Sequence, residues 1–213
     1  MSAAGLVLIG VPLAFNGAFA ALAARFDYPD VLRHPTRDVL ARFRAGGTSL
    51  QVLWWGFALT AVLLVPLVVL FAAALPDADP TLLSVATALG VLAAAVQFLG
   101  LIRWPFLVPF LAEQEDSEAV DLVFQAFNRY LGVAVGEHLG YLFTGAWTTL
   151  AGIALLTEST PLGVLGIVVG PTLMLCSLEF VGRSSGWAVA EKLTPLAYVA
   201  WSLWLIATGV VLL

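Results

Sequence analysis

Long apolar stretches separated by short polar segments follow one another along the whole chain. A helix needs about 20 apolar residues to cross the ~30 Å hydrocarbon core of a bilayer, and each stretch is close to that length. Pro, Gly or charged residues, which end helices, bound each stretch. The pattern predicts six transmembrane helices, at about residues 4–24, 50–75, 81–102, 131–156, 161–181 and 194–213.

Positively charged residues occur only in alternate segments between these spans. Five arginines lie between the first two spans, Arg103 and Arg129 follow the third, and Arg183 and Lys192 follow the fifth. The second and fourth segments contain no Lys or Arg. Because Lys and Arg accumulate in cytoplasmic loops, the first, third and fifth segments are predicted to be cytoplasmic. Both termini are then outside.

Two cytoplasmic segments have amphipathic patterns of their own. Residues 36–46 place apolar side chains opposite arginines and end at Gly46-Gly47, which is typical of a short helix lying on lipid headgroups. Residues 119–129 are amphipathic too and lead into the fourth span. We therefore predict an all-α polytopic membrane protein, a bundle of six transmembrane helices with interfacial amphipathic helices on the cytoplasmic side. The chain is predicted to form a single domain, residues 1–213.

Prolines and one Arg-Trp pair modify this picture locally. Pro66 predicts a kink in the second span. Pro105 and Pro109 predict that the apolar stretch after the third span is broken. The Arg103-Trp104 pair at the end of that span is typical of an anchor at the membrane interface.

The composition excludes a soluble protein. Apolar residues make up 61% of the chain and charged residues 11%, against roughly 45–50% and ~25% in soluble domains. The single cysteine, Cys176, excludes an internal disulfide and a CxxC motif. Nothing in the sequence supports nucleic-acid binding, a cofactor or a metal site. The expected partners are the lipid bilayer and a small-molecule or lipid ligand, and an oligomer is left open.

The first apolar stretch is predicted to be a retained span and not a cleaved signal peptide. It is longer than the apolar core of a signal peptide, which has about 7–15 residues, and no Lys or Arg precedes it. The Ala, Val, Leu and Arg content is typical of a high-GC bacterium. These features predict a multi-pass protein of the bacterial cytoplasmic (inner) membrane.

The fourth span contains two adjacent ionisable residues, Glu137 and His138. A charge at the centre of a bilayer costs roughly 2.5–3.5 kcal/mol by insertion scales, so such residues are candidates for function. Gly132, Gly136 and Gly140 form a doubled GxxxG ridge, at which another helix can approach closely.

At α-helical spacing, Glu137 shares a face with Tyr130, Tyr141, Thr144 and Thr148, and His138 points about 100° away. In the fifth span, the same spacing places Thr172, Cys176, Glu179 and Arg183 on one face.

Polar residues of several spans fall at a similar depth in the predicted cytoplasmic half. Asn16 and Glu137 lie about eight and seven residues from the cytoplasmic ends of their spans, which is ~11 Å. The outer halves contain almost nothing polar. This distribution predicts a polar pocket that is open to the cytoplasm and closed to the outside. Its predicted residues are Asn16, Gln97, Glu137, His138, Tyr141, Thr144, Cys176, Glu179, Arg183 and Tyr198, with Glu137, His138 and Tyr141 as candidate catalytic residues.

Each of these signals also has a structural interpretation. Glu137 and His138 could belong to a hydrogen-bond network at a helix interface, or a protonated Glu137 could be held by Tyr and Asn neighbours. The glycine ridge is first a packing feature, and Glu179 with Arg183 could be an ion pair at the membrane boundary. Cys176 could be a residue of the hydrophobic core.

Three stretches carry a resemblance to a known family. The first stretch, residues 33–47, contains the sequences RHP, DVLARF and AGG. The second is RWPFLVP at residues 103–109, and the third, residues 127–141, contains FNRY and GEHLGY. The chain resembles small multi-pass bacterial membrane proteins grouped under a domain of unknown function, and the likeness covers most of its length. The resemblance implies a six-helix bacterial membrane fold. It implies no mechanism, because that family has no established activity.

Three functions are compatible with the pattern. The pocket could bind or transport a small amphipathic molecule or a proton, which we favour because this hypothesis needs only topology and spacing. Alternatively, the protein could be a metal-free membrane enzyme that acts on a lipid or isoprenoid by proton transfer through Glu137. Thirdly, it could be a non-catalytic membrane subunit or regulator that binds partners through the arginine-rich helix or the acidic run at residues 113–118.

Overall fold

The computed structural model describes residues 2–115, 117–181 and 188–213, and within these ranges it contains helices and no β-strand. A π-helix spans Asn128–Leu139, and short 3₁₀ helices form at Asp30–Arg33 and Ser177–Phe180. The α-helices are α1 (Ala3–Phe26), α2 (Thr36–Val62), α3 (Leu64–Ala73), α4 (Pro80–Leu101), α5 (Arg103–Ala112), α6 (Glu118–Phe127), α7 (Gly140–Leu155), α8 (Thr160–Cys176) and α9 (Ala188–Val211).

Five helical stretches within the described residues are long and apolar enough to cross a membrane. They confirm an all-helical fold of the membrane type and coincide with five of the predicted spans. The remaining predicted span, 131–156, falls on the π-helix and α7, which have 12 and 16 residues and are each shorter than the ~20 needed to cross. The five stretches are Ala3–Phe26, Thr36–Ala73, Pro80–Ala112, Thr160–Phe180 and Lys192–Val211.

The first and last helices form an antiparallel pair. The backbone N–H of Ser2 donates to the carbonyl of Leu213 over 3.1 Å. A Cβ added to Gly5 would lie 2.8 Å from the carbonyl oxygen of Gly209, so the two backbones are in direct contact there. The two ends of the described chain therefore lie on the same side of the bundle.

Helix α2 is kinked at Gly47, close to where the interfacial helix is predicted to end. Gly47 has φ 56° and ψ −157°, a conformation that other residues rarely adopt. Just before the kink, Arg44 Nε donates to the carbonyl of Ala112 at the end of α5 over 2.8 Å. The amide of Gln125 in α6 donates to the Thr36 hydroxyl over 3.0 Å. The segments after the first and third predicted spans are thus bonded to each other.

The prolines act differently from one another. The α2–α3 boundary at Leu63 lies just before Pro66, as the predicted kink requires, since a proline cannot donate to the carbonyl four residues earlier. The expected break at Pro105 and Pro109 is wrong, because residues 103–112 form α5. Pro105 lies in the first turn of α5, where a missing N–H costs little.

The Arg103-Trp104 pair is buried and is not an interfacial anchor, so that expectation is wrong. Trp104 is 0% exposed and Arg103 is 8% exposed. The Trp54 and Trp104 rings stack with centroids 4.3 Å apart, and Phe26 packs edge-on against both. The reason is that the chain continues as a helix after α4, which directs Trp104 towards α2.

The glycine ridge of the π-helix packs directly on the end of α4. A Cβ added to Gly100 would lie 2.6 Å from the Cα of Gly136, and one added to Gly136 would lie 3.0 Å from the Cα of Gly100. A Cβ on Gly132 would lie 2.5 Å from Nη2 of Arg103. The ridge therefore supports close helix packing, as the GxxxG pattern predicts, and its partner is α4 with the start of α5.

We expect Gly100→Ala to destabilise the protein by about 1–3 kcal/mol, because the added methyl group would overlap the backbone of the π-helix. The measurement is SDS-induced unfolding in mixed micelles, followed by circular dichroism. The matched control is Gly17→Ala in α1, where a Cβ would meet nothing within 4 Å. Equal unfolding midpoints for the two variants would contradict the packing.

Candidate functional site

A cavity of about 330 Å³ lies among α1, α2, α4, α7, α9, the start of α5 and the π-helix. It is near the C-terminal ends of α1 and α4 and the N-terminal end of α9. This is the side of the bundle that carries the first and third inter-span segments. Its volume is at the lower end of the ~300–1,000 Å³ range of small-molecule pockets.

Half of the predicted pocket residues meet at this cavity, although they come from separate helices. Tyr141 and Tyr198 pack edge to face there, with ring centroids 4.9 Å apart. Gly140 leaves room for the Gln97 side chain, because a Cβ added to Gly140 would lie 2.8 Å from the Cγ atom of Gln97. The predicted residues that line the cavity are Asn16, Gln97, Glu137, Tyr141 and Tyr198.

The two amides of the cavity have hydrogen-bond partners, whereas the carboxylate does not. The Asn16 amide donates to the Ser202 hydroxyl, and the Gln97 amide donates to the Thr144 hydroxyl, each over 3.0 Å. The carboxylate of Glu137 makes no hydrogen bond and no ion pair with any described residue. Because an ionised carboxylate can accept several hydrogen bonds, Glu137 presents an unused acceptor to the cavity.

Arg103 is the second charged residue of the cavity wall, and its position was missed by the interfacial interpretation. Its Nη2 donates to Asn128 Oδ1 over 2.9 Å, and its Nη1 donates to the carbonyl of Gly100. Its Cζ atom lies 5.4 Å from the centroid of the Trp104 ring, within the range of a cation–π contact. Within the described structure no salt bridge joins Arg103 to Glu137.

Aromatic side chains form one wall of the cavity. The ring centroids of Phe15 and Phe57 are 5.1 Å apart, and those of Phe19 and Tyr28 are 5.7 Å apart. Sequence analysis missed Tyr28, because it lies in a loop without helical periodicity. Burial raises the pKa of Tyr28 well above its usual range, so its hydroxyl remains protonated and can donate a hydrogen bond.

Two predicted residues on the π-helix and α7 lie outside the cavity lining. His138 Nδ1 is 2.9 Å from the carbonyl oxygen of Ser177, and Thr144 is buried behind Gln97. Tyr130, expected on the same face as Glu137, is 68% exposed. The expectation assumed an α-helix, and the i→i+5 bonding of a π-helix changes the angle between successive side chains.

The predicted polar face of the fifth span is divided by a change of helix type. Helix α8 ends at Cys176 and a 3₁₀ helix follows, so α-helical spacing no longer relates Cys176 to Glu179. Cys176 is 0% exposed and belongs to the hydrophobic core. Glu179 Oε2 accepts a hydrogen bond of 3.4 Å from Thr194, which lines the cavity. Arg183, and with it the predicted Glu179–Arg183 pair, lies outside the described residues.

The cavity wall carries several kinds of polar group. Its groups are a carboxylate, a guanidinium that is already hydrogen-bonded, amides and phenols. Such groups can hold a ligand that donates hydrogen bonds or carries a positive charge. Among the residues that the structure describes, no three His, Cys, Asp or Glu side chains come together as metal ligands.

Comparison with known proteins gives one match. The model of the family described as Domain of unknown function (DUF4386) matches residues 3–209, a range that includes every described residue of the cavity wall. No curated protein and no solved structure matches the chain. The match agrees with the family resemblance in the sequence, and the chain belongs to the DUF4386 family.

Proposed function

We propose that this protein binds a small amphipathic molecule in the cavity at Glu137 and thereby recognises or transports it. The proposal depends on one observation: a carboxylate faces a cavity of about 330 Å³ and has no partner among the described residues. A polar group that is withdrawn from water without a partner costs about 1–3 kcal/mol, and more if it is charged. A ligand that donates to Glu137 would remove that cost.

The surroundings of Glu137 favour a binding role over a structural one. The nearby polar groups that hold helices together, such as Asn16 with Ser202 and Gln97 with Thr144, are paired. A carboxylate that held helices together would be expected to accept hydrogen bonds in the same way. Glu137 instead shares its cavity with aromatic side chains, which suit the apolar part of an amphipathic ligand.

The topology that we propose has six spans, with both termini outside and the cavity opening to the cytoplasm of a bacterial cell. The adjacency of Ser2 and Leu213 supports an even number of crossings, since the two ends must lie on one side. The sixth span would be the π-helix continued by α7. The alternation of arginine-rich and arginine-free segments supports the orientation.

The half of the bundle away from the cavity is filled, which supports access from one side only. Trp147, Leu155, Trp204 and Phe71 are each at most 2% exposed and belong to one core cluster. A ligand in the cavity would have to displace these side chains to leave on that side. We therefore propose a binding site that is open on one side only. A transporter also passes through a conformation of this kind.

The orientation predicts which surface positions an impermeant thiol reagent reaches in intact cells. We expect Asp77→Cys and Glu158→Cys to be labelled from outside, and Arg37→Cys to be labelled only after permeabilisation, because these three residues are exposed on opposite proposed sides. The fully buried Cys176 should give a low background. Labelling of Arg37→Cys in intact cells would contradict the orientation.

Glu137→Gln should weaken ligand binding without weakening the fold. The probe is N-phenyl-1-naphthylamine, an uncharged fluorescent amphiphile with an N–H donor, titrated into the protein in nanodiscs against empty nanodiscs. We expect roughly tenfold weaker binding, since a hydrogen bond to a charged group contributes about 1.5–3 kcal/mol. The unfolding temperature of the free protein should stay the same or rise, because an unpaired carboxylate is removed.

The matched control for this experiment is Glu158→Gln, which removes the same charge from an exposed loop. It should leave both binding and stability unchanged. A lower unfolding temperature together with unchanged dye affinity in Glu137→Gln would assign Glu137 a structural role and overturn the proposal. The absence of saturable dye binding to the unaltered protein would overturn it as well.

A further inference from the structure

The cavity reaches the molecular surface between α1 and α9. Most residues that line it are buried or half-buried, but Asn16 of α1 and both Pro195 and Val199 of α9 are exposed. Val199 has 54% of its surface exposed. Pro29, in the loop after α1, is the remaining exposed residue of the lining. The opening therefore extends from that loop along the gap between α1 and α9.

This opening lies at the depth of the hydrocarbon. Asn16 is ten residues before Phe26, the end of α1, which corresponds to about 15 Å along the helix. Beyond this point, α1 and α9 are in contact through the Asn16–Ser202 hydrogen bond and the Gly5–Gly209 approach. The pair is thus closed in one half of the bundle and separated by the cavity in the other half. In a bilayer, the part of the gap near Asn16 faces lipid chains, whereas its end at Pro29 lies at the loop on the proposed cytoplasmic side.

The chemistry of the cavity wall indicates the sign of the charge that the ligand carries. Two donors of Arg103 already have acceptors, at Asn128 and the carbonyl of Gly100, and its guanidinium lies against Trp104. Glu137 has no such partner among the described residues. At Glu137, the unmet requirement is therefore for a donor or a positive charge.

The aromatic walls point to the same kind of ligand. Phe15, Phe19, Phe57 and Tyr28 cover one side of the cavity, and the Tyr141–Tyr198 pair covers another. An ammonium group over an aromatic face is attracted by the ring, most strongly when the group is removed from water. A cavity that combines a carboxylate with aromatic rings suits an ammonium group better than an anion.

The volume limits how much of the ligand the cavity can hold. A space of about 330 Å³ accommodates roughly eleven non-hydrogen atoms, since a water molecule occupies about 30 Å³ of liquid. A longer alkyl tail would not fit entirely. The opening between α1 and α9 would allow such a tail to remain among the lipid chains.

From this geometry we infer that the ligand is a single-chain amphiphile with an ammonium headgroup. It enters from the membrane between α1 and α9, its headgroup binds Glu137 inside the aromatic walls, and its tail stays in the bilayer. The inference deepens the binding function proposed above and rests on it. It adds two claims, the charge of the headgroup and the lateral route of entry, which are tested separately.

The headgroup is tested by competition among three decyl-chain amphiphiles that differ only in the head. Decylammonium, decyl sulfate and decanol, each below its micelle-forming concentration, displace N-phenyl-1-naphthylamine from the protein in nanodiscs of zwitterionic lipid. We expect decylammonium to act at a concentration at least tenfold lower than the other two. Glu137→Gln should abolish this preference, and Glu158→Gln should retain it.

The route is tested with two exposed positions one turn apart on α9. Val199 borders the opening and is 54% exposed, whereas Leu203 is 61% exposed and does not line the cavity. In the bound state the proposed tail passes through the opening, so Val199→Trp should crowd the tail and raise the decylammonium concentration needed for half-displacement at least fivefold. Leu203→Trp adds the same side chain to the lipid-facing surface and should have no effect. Unfolding temperatures of both variants show whether the fold is retained.

The outcomes separate the two proposals. If the dye binds saturably but the three competitors displace it equally well, the ammonium assignment is overturned and the binding function stands. If folded Val199→Trp and Leu203→Trp behave alike, the entry between α1 and α9 is overturned. If the dye does not bind saturably to the unaltered protein, the binding function fails and the inference fails with it.

Discussion

The backbone contact between Gly100 of α4 and Gly136 of the π-helix determines where the charged groups of the cavity lie. Inside a bilayer the lipid tails are as apolar as the side chains, so helices associate through close packing and hydrogen bonds. With no Cβ at either position, the two backbones meet directly. Glu137 follows Gly136, and Arg103 follows Gly100 by less than a turn, so one contact brings both charges to the same cavity.

The π-helix is the element that makes this arrangement unusual. A π-helix normally forms a single turn, frequently at a functional site, and here it covers Asn128–Leu139. Its end carries Glu137 next to His138, which contacts the carbonyl of Ser177 and so joins the π-helix to the 3₁₀ helix after α8. Two departures from α-helical geometry therefore meet beside the cavity. Together they direct Glu137 inward while Tyr130 faces outward.

The sequence predicts the elements that depend on length and polarity, and it misses those that depend on local helix geometry. The apolar stretches could be located because a span has a fixed length, and Asn16, Gln97 and Glu137 could be grouped because depth follows from residue number. The position of Tyr28 depends on how a loop folds back onto α1, which leaves no periodic signal. The sequence pattern puts Cys176 and Glu179 on one face, because a 3₁₀ helix and an α-helix give similar patterns of polar residues.

The two halves of the bundle differ in how completely they are filled, and this difference bears on how a ligand could cross it. Beyond the cavity wall, Trp201, which packs on Tyr198, donates from Nε1 to the Thr148 hydroxyl, and Trp204 Nε1 donates to the carbonyl of Leu162, each over 2.9 Å. Opening that half would break both bonds as well as expose apolar surface. On the cavity side, the space around Glu137 already exists. Release of a ligand across the filled half would therefore require a second conformation, whereas binding and release on the cavity side would not.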